Sequence, residues 1–161
     1  MDPAEERSGS SLFDPTLVCL ELEARDRREA ISALAGMLRT AGKVRGSYLE
    51  AVLAREAEFP TGLPTPRFAI AIPHTDPEHC IEPAVAVGIM RNTVNFEEMG
   101  SPGTTLEVRI VFLLSITRPE DHVEWLSRLA SAFQTPQLAH MLLGSQSPQQ
   151  ACRLLQAGIE G

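Results

Sequence analysis

The sequence predicts an α/β sandwich, one sheet with helices on both faces, and three observations carry that reading. Short runs such as "AVAVGIM" (84–90) and "VRIVFLLSI" (108–116) are continuously apolar and rich in β-branched residues, as strands covered on two sides must be. Helix start signals with helical periodicity stand both before and after these runs. The length of 161 residues fits one domain with a substantial core and no need of cross-links.

In chain order, residues 1–12 read as a disordered tail, polar and without periodicity. "LVCLELE" (17–23) alternates enough for a first strand. Asp26 followed by Glu29 forms a D-x-x-E helix start, and Ile31, Leu34 and Leu38 repeat at helical spacing up to a stop at Gly42. A second helix is predicted from about Ser47 to Glu58, with Tyr48, Val52 and Arg55 along one row. "EFPTGLPTPRF" (58–68) carries three prolines and a glycine and reads as a loop. Phe68 to Ile72 is then a strand, followed by the two apolar runs with turn residues between them. Thr117 with Glu120 makes a capping box before "HVEWLSRLASAF". Thr135-Pro136 opens "QLAHMLL", and Ser147-Pro148 with Gln150 opens "ACRLLQ". No internal repeat interrupts residues 13–161, which read as one domain.

Composition narrows the function. A formal net charge of −7 argues against binding a nucleic-acid backbone or anionic lipid and favours a partner with a basic face. Cys19, Cys80 and Cys152 are odd in number and lack C-x-x-C spacing, the usage of a reducing compartment. No apolar run approaches the ~20 residues of a membrane span, and the acidic start "MDPAEERSGSS" has no signal-peptide character. A cytoplasmic location without membrane insertion is the expectation.

The chemistry gathers around "FAIAIPHTDPEHC" (68–80), an apolar strand that runs into Pro73-His74. Proline keeps Ile72 extended and offers no N–H to a ladder, so strand pairing should stop there. His74 then falls at the carboxyl end of a central strand, where covered α/β sheets meet their ligands. The bland alternative is a histidine bonded to a neighbouring loop. His122 shares a row with Leu126, Leu129 and Phe133 in the first turn of its helix, so it faces the protein body near free N–H groups that favour anions. By itself it would read as a half-buried core histidine. Arg55, in the last turn of its helix, would by itself read as a cation on the helix dipole. Two histidines and an arginine without an acid–base triad suggest phosphoryl transfer, which needs an in-line nucleophile and cationic donors around the oxygens. The rival is a metal hydrolase with His74, Asp76, His79 and Cys80 as ligands, although no second cluster with metal spacing accompanies them.

"RE" at 55–56, "TG" at 61–62, "AIPH" at 71–74 and "HVEWLSRLA" from His122, in that order, resemble the enzyme IIA domains of the bacterial phosphoenolpyruvate-dependent sugar phosphotransferase system, fructose/mannitol superfamily. The similarity runs from about Leu12 to Gln156. It implies a three-layer α/β/α sandwich around a mixed sheet of about four to five strands. It also implies that His74 is the phosphorylated histidine, His122 the second active-site histidine and Arg55 the arginine that positions phosphate. The implied partners are the phosphocarrier protein HPr as donor and a IIB component, usually through a cysteine, as acceptor. No cofactor or metal is implied. Thr61, Gly62 and Thr75 are candidates to line the phosphate site, and a turn role explains them equally well.

"FPTGL" followed by "AIPHTD" is most similar to the galactitol-specific branch. The fructose and nitrogen-regulatory branches usually have a Gly-rich loop and a glycine after the histidine. Pro64, Thr65 and Pro66 stiffen that loop here, and Thr75-Asp76 follow the histidine. The alternative is a nitrogen-regulatory-type protein in which phosphorylation of the histidine switches protein binding.

Overall fold

Two long strands, β4 (Ala84–Glu98) and β5 (Ser101–Ser115), form an antiparallel hairpin that carries the sheet, paired from Ala84 opposite Ser115 to Glu98 opposite Ser101 with register shifts between Ile89 and Val94 and between Glu97 and Glu98. The computed structural model describes residues 11–160. β1 (Val18–Leu22) lies parallel to β4, and β3 (Ala69–Ala71) lies parallel to β5. β2 (Gly62–Leu63) is antiparallel to β3 and returns to β4 through a single parallel pair, Gly62 with Glu98. The five strands therefore make one mixed sheet.

Helices α1 (Arg27–Thr40) and α2 (Tyr48–Glu58) cover one face. Helices α3 (Glu120–Ala132), α4 (Pro136–Leu143) and α5 (Pro148–Leu155), with a π-helical turn at Gln156–Glu160, cover the other. Alternation along β4 divides the two cores. Val85, Val87 and Ile89 meet Trp125, Leu129 and Leu155, while Ala84, Ala86 and Met90 meet Ile31, Leu34 and Tyr48. The three-layer sandwich is therefore realised.

Local chemistry explains most element boundaries. Asp26 accepts the Glu29 N–H and caps α1, while Gly42, at φ 77°, provides the left-handed residue beyond its end. Ser147 accepts the Gln150 N–H and caps α5.

One start differs from the sequence reading. Thr117 makes no cap: α3 begins at Glu120 behind Pro119, and the Glu120 carboxylate binds Arg118 instead. α2 starts where expected, with the Ser47 hydroxyl paired to His79 Nδ1 at 2.8 Å rather than to the helix. The expected turn region between the apolar runs is strand: Val94 and Phe96 point inward and are buried, and the turn lies at Gly100, φ 79°. Gly62–Leu63 is strand within the predicted loop. Of the expected N-terminal tail, residues 1–10 lie outside the described residues. Ser11 and Leu12 donate hydrogen bonds to the Glu160 carboxylate at 2.6 and 3.1 Å.

Candidate functional site

The end of β3 is fixed from three sides. Ile72 N–H donates to Thr61 Oγ1 at 3.1 Å and so leaves the ladder after Ala71. Pro73 has no N–H, but its carbonyl accepts from Leu114 N–H of β5 at 3.1 Å. The Leu114 carbonyl in turn accepts the hydroxyl of the fully buried Tyr48 at 2.5 Å. His74 leaves this seam with 8% of its surface exposed. Its Nδ1 lies 2.8 Å from the Ile72 carbonyl oxygen. A carbonyl can only accept, so Nδ1 carries the hydrogen and Nε2 carries the lone pair.

The first turn of α3 brings His122 against it, with ring centroids 4.9 Å apart at 37°. His122 Nε2 is buried and has no hydrogen-bond partner among the described residues. Arg55 projects from the last turn of α2, its guanidinium 3.7 Å from Asp76 Oδ1 and 5.3 Å from the Phe59 ring centre. The single long contact to an exposed Asp76 holds the guanidinium near the histidines without saturating its five donors. Asp76 follows His74 by two residues, so the β3 exit supplies both the candidate nucleophile and the carboxylate that faces Arg55.

Burial, with help from His122 and Arg55, pushes the His74 pKa down to about 4, against the Ile72 hydrogen bond and Asp76. Burial and then Arg55 also lower His122, opposed by Asp76, Asp121 and a hydrogen bond to the Thr75 backbone. At neutral pH His74 is therefore an uncharged imidazole with a free lone pair, the form a nucleophile requires.

The candidate residues of the preceding loop occupy distinct places. Thr61 is buried, and its one hydroxyl hydrogen is donated to Glu56 at 2.8 Å. Gly62 sits where β2 crosses close to β4: a Cβ there would lie 2.7 Å from the Glu97 carbonyl oxygen, so no larger residue fits without a backbone shift. Thr75 is buried directly after His74.

Glu56 was the residue the sequence reading passed over, although it stood inside the quoted "RE". Tyr48, Val52 and Glu56 are the buried row of α2, whereas Arg55 lies half-exposed beside it. The available signal was a charged residue four positions after Val52, on the core-facing row. Its carboxylate also accepts Thr61 N–H at 2.9 Å. Burial nonetheless raises its pKa to about 7, against the two Thr61 bonds and the Arg27 charge, with Glu97 adding to the rise.

The hydrolase reading finds no ligand set. His79 turns to Ser47 and Glu78, Cys80 is buried beside Val44, and no group of three or more His, Cys, Asp or Glu among the described residues could hold a metal.

Residues 11–158 match the family of the phosphoenolpyruvate-dependent sugar phosphotransferase system, EIIA 2. The chain is 32% identical over 143 residues to the fructose-specific EIIABC component of Bacillus subtilis, covering 86% of this chain and 21% of that protein, about a fifth of its length. It is 30% identical over 118 residues to the galactitol-specific EIIA component of Escherichia coli K12, covering 73% of this chain and 78% of that one. Among solved structures, the Escherichia coli complex of mannitol enzyme IIA with phosphorylated enzyme IIB has a chain with TM-score 0.73 and 22% identity, covering 90% of this chain and 97% of that one. With the sheet, the helices and the order of the sequence blocks all in agreement, the chain belongs to the EIIA type-2 family, the phosphocarrier components of the phosphoenolpyruvate-dependent sugar phosphotransferase system.

Proposed function

We propose that His74 Nε2 accepts a phosphoryl group from phospho-HPr and passes it to a IIB component in the cytoplasm, serving uptake of a polyol of the galactitol type. The observation that carries this reading is the bond from His74 Nδ1–H to the Ile72 carbonyl, which leaves Nε2 as the only free lone pair. In the accepting step that lone pair attacks phosphorus in line. The donor's P–N bond breaks, and its electron pair stays on the donor imidazole. His74 keeps its Nδ1 hydrogen on the Ile72 carbonyl throughout. In the donating step a IIB cysteine thiolate attacks phosphorus, and the N–P electron pair returns to Nε2.

Little else is required beyond charge and position. Arg55 supplies a planar fork suited to two phosphoryl oxygens. His122, whose ring already donates to the Thr75 backbone, takes up a proton on its partnerless Nε2 as the phosphoryl charge arrives and donates from that atom to a phosphoryl oxygen. Thr75 follows His74 directly, and Thr61 holds Ile72 behind it. The IIB acceptor is supported by the mannitol IIA–IIB complex, whose IIA chain shares this fold. The galactitol assignment is supported by Pro64-Thr65-Pro66, by Thr75-Asp76 and by the 78% coverage of the galactitol component.

Incubation with phosphoenolpyruvate, enzyme I and HPr should place one acid-labile phosphate on the chain, and His74→Ala should carry none. Stable labelling of His74→Ala would overturn the acceptor. Phosphate should then pass faster to a purified galactitol-type IIB than to a fructose-type IIB; the reverse preference would move the chain to another branch.

A further inference from the structure

We infer that Glu56 is a positioning residue for His74, acting through the Thr61 hydroxyl and the Ile72 backbone. The inference rests on His74 as the phosphoryl acceptor and adds a residue two links behind it. The chain of bonds is continuous. Glu56 accepts the Thr61 O–H at 2.8 Å and the Thr61 N–H at 2.9 Å. With its hydrogen committed to Glu56, Thr61 Oγ1 turns a lone pair to Ile72 N–H at 3.1 Å. Ile72 is thereby held on its N–H side, and its carbonyl on the other side receives His74 Nδ1–H at 2.8 Å.

A carboxylate at this place is costly, which argues for a use. Glu56 is 4% exposed and makes no ion pair among the described residues within 4 Å. Arg27 acts on it only as a more distant charge, and Glu97 opposes it. An apolar residue on the Tyr48–Val52 row would avoid the desolvation cost. What it could not do is set the direction of the Thr61 hydroxyl. Without a fixed acceptor, that hydrogen can rotate, and Ile72 N–H no longer meets a defined lone pair. The Ile72 carbonyl then loses its fixed aim, and the His74 ring loses the contact that selects its tautomer.

The test uses Glu56→Ala and Thr61→Val with histidine-selective 15N labelling. In the unmodified protein the His74 ring should show Nδ1 protonated and Nε2 free. Both variants should shift His74 toward a mixture of tautomers and slow phosphoryl uptake from phospho-HPr by roughly 10–100-fold. Thr61→Ser, which restores the hydroxyl, should recover the tautomer and most of the rate. A purely structural tie would lower thermal stability in the variants and leave tautomer and rate unchanged, which would overturn the inference. If Glu56→Ala fails to fold, Glu56→Met decides, since it fills similar space and offers no oxygen to accept the Thr61 O–H. A His74 tautomer in Glu56→Met identical to that of the unmodified protein would overturn the inference; a shifted one supports it. Failure of the unmodified protein to take phosphate at His74 would instead remove the underlying reading, and the tautomer measurement separates the two.

Discussion

The His122 ring lies 4.9 Å from the His74 ring, and its Nε2 is buried without a partner while His74 Nδ1 is bonded to Ile72. One histidine thus has its spare nitrogen tied back to the chain, and the other has a nitrogen held in reserve. A buried polar atom left alone costs about 1–3 kcal/mol, a cost offset when Nε2 takes up a proton and pairs with a phosphoryl oxygen.

His122→Ala should therefore keep the fold, still permit phosphorylation at His74, and slow transfer by ~10–1000-fold, the range for a lost donor at developing charge. His122→Gln should recover part of the loss. Rapid-quench transfer kinetics with both variants make the check; wild-type rates in both would reduce His122 to a packing residue.

For Arg55, the weak hold of Asp76 at 3.7 Å means that little stability depends on the charge. Arg55→Lys should change unfolding by less than ~1 kcal/mol yet slow transfer in both directions, because an ammonium cannot reproduce the bidentate fork. Unchanged rates would return Arg55 to an ordinary helix-end cation.

Stability against pH should show two opposing slopes. Native His74 stays neutral down to about pH 4, against an ordinary value of 6.5, so unfolding takes up a proton between pH 4 and 6.5 and stability rises with pH there. Native Glu56 keeps its proton up to about pH 7, against an ordinary 4.5, so unfolding releases a proton between pH 4.5 and 7 and stability falls with pH. Each swing corresponds to about 3 kcal/mol. They nearly cancel in the unmodified protein, with the lowered His122 adding to the rise. Glu56→Gln should expose a clear rise with pH, and His74→Gln a weaker fall. Urea midpoints from pH 4 to 8 would measure both, and parallel profiles for all three proteins would refute the assignment of these groups.

Gly62→Ala should be among the more damaging small substitutions. Its Cβ would meet the Glu97 carbonyl oxygen at 2.7 Å, so β2 must move, at roughly 1–3 kcal/mol. Because Thr61 precedes it and holds Ile72, transfer should slow as well. A thermal midpoint and rate equal to those of the unmodified protein would show that β2 can yield without disturbing His74.

The sequence by itself determined the layered α/β architecture, because short apolar β-branched runs and helical spacing are local patterns that survive in any compact arrangement. It also placed His74 at a strand end, since Pro73 removes a ladder donor and that effect is built into the covalent chain. Resemblance then singled out Arg55 and His122, which as isolated residues read equally well as an end cation and a core histidine. Only the tertiary structure decided how these residues stand to one another. The expected capping box at Thr117 was lost because Glu120 found Arg118, a competitor that no local pattern ranks. β2 is strand because β3 and β4 lie beside it, a pairing that two residues cannot specify alone. Glu56 shows the same division: its position on the helix was readable, but its burial against Thr61, and through Thr61 and Ile72 its connection to His74, exists only when a helix end, a loop and a strand end are brought together.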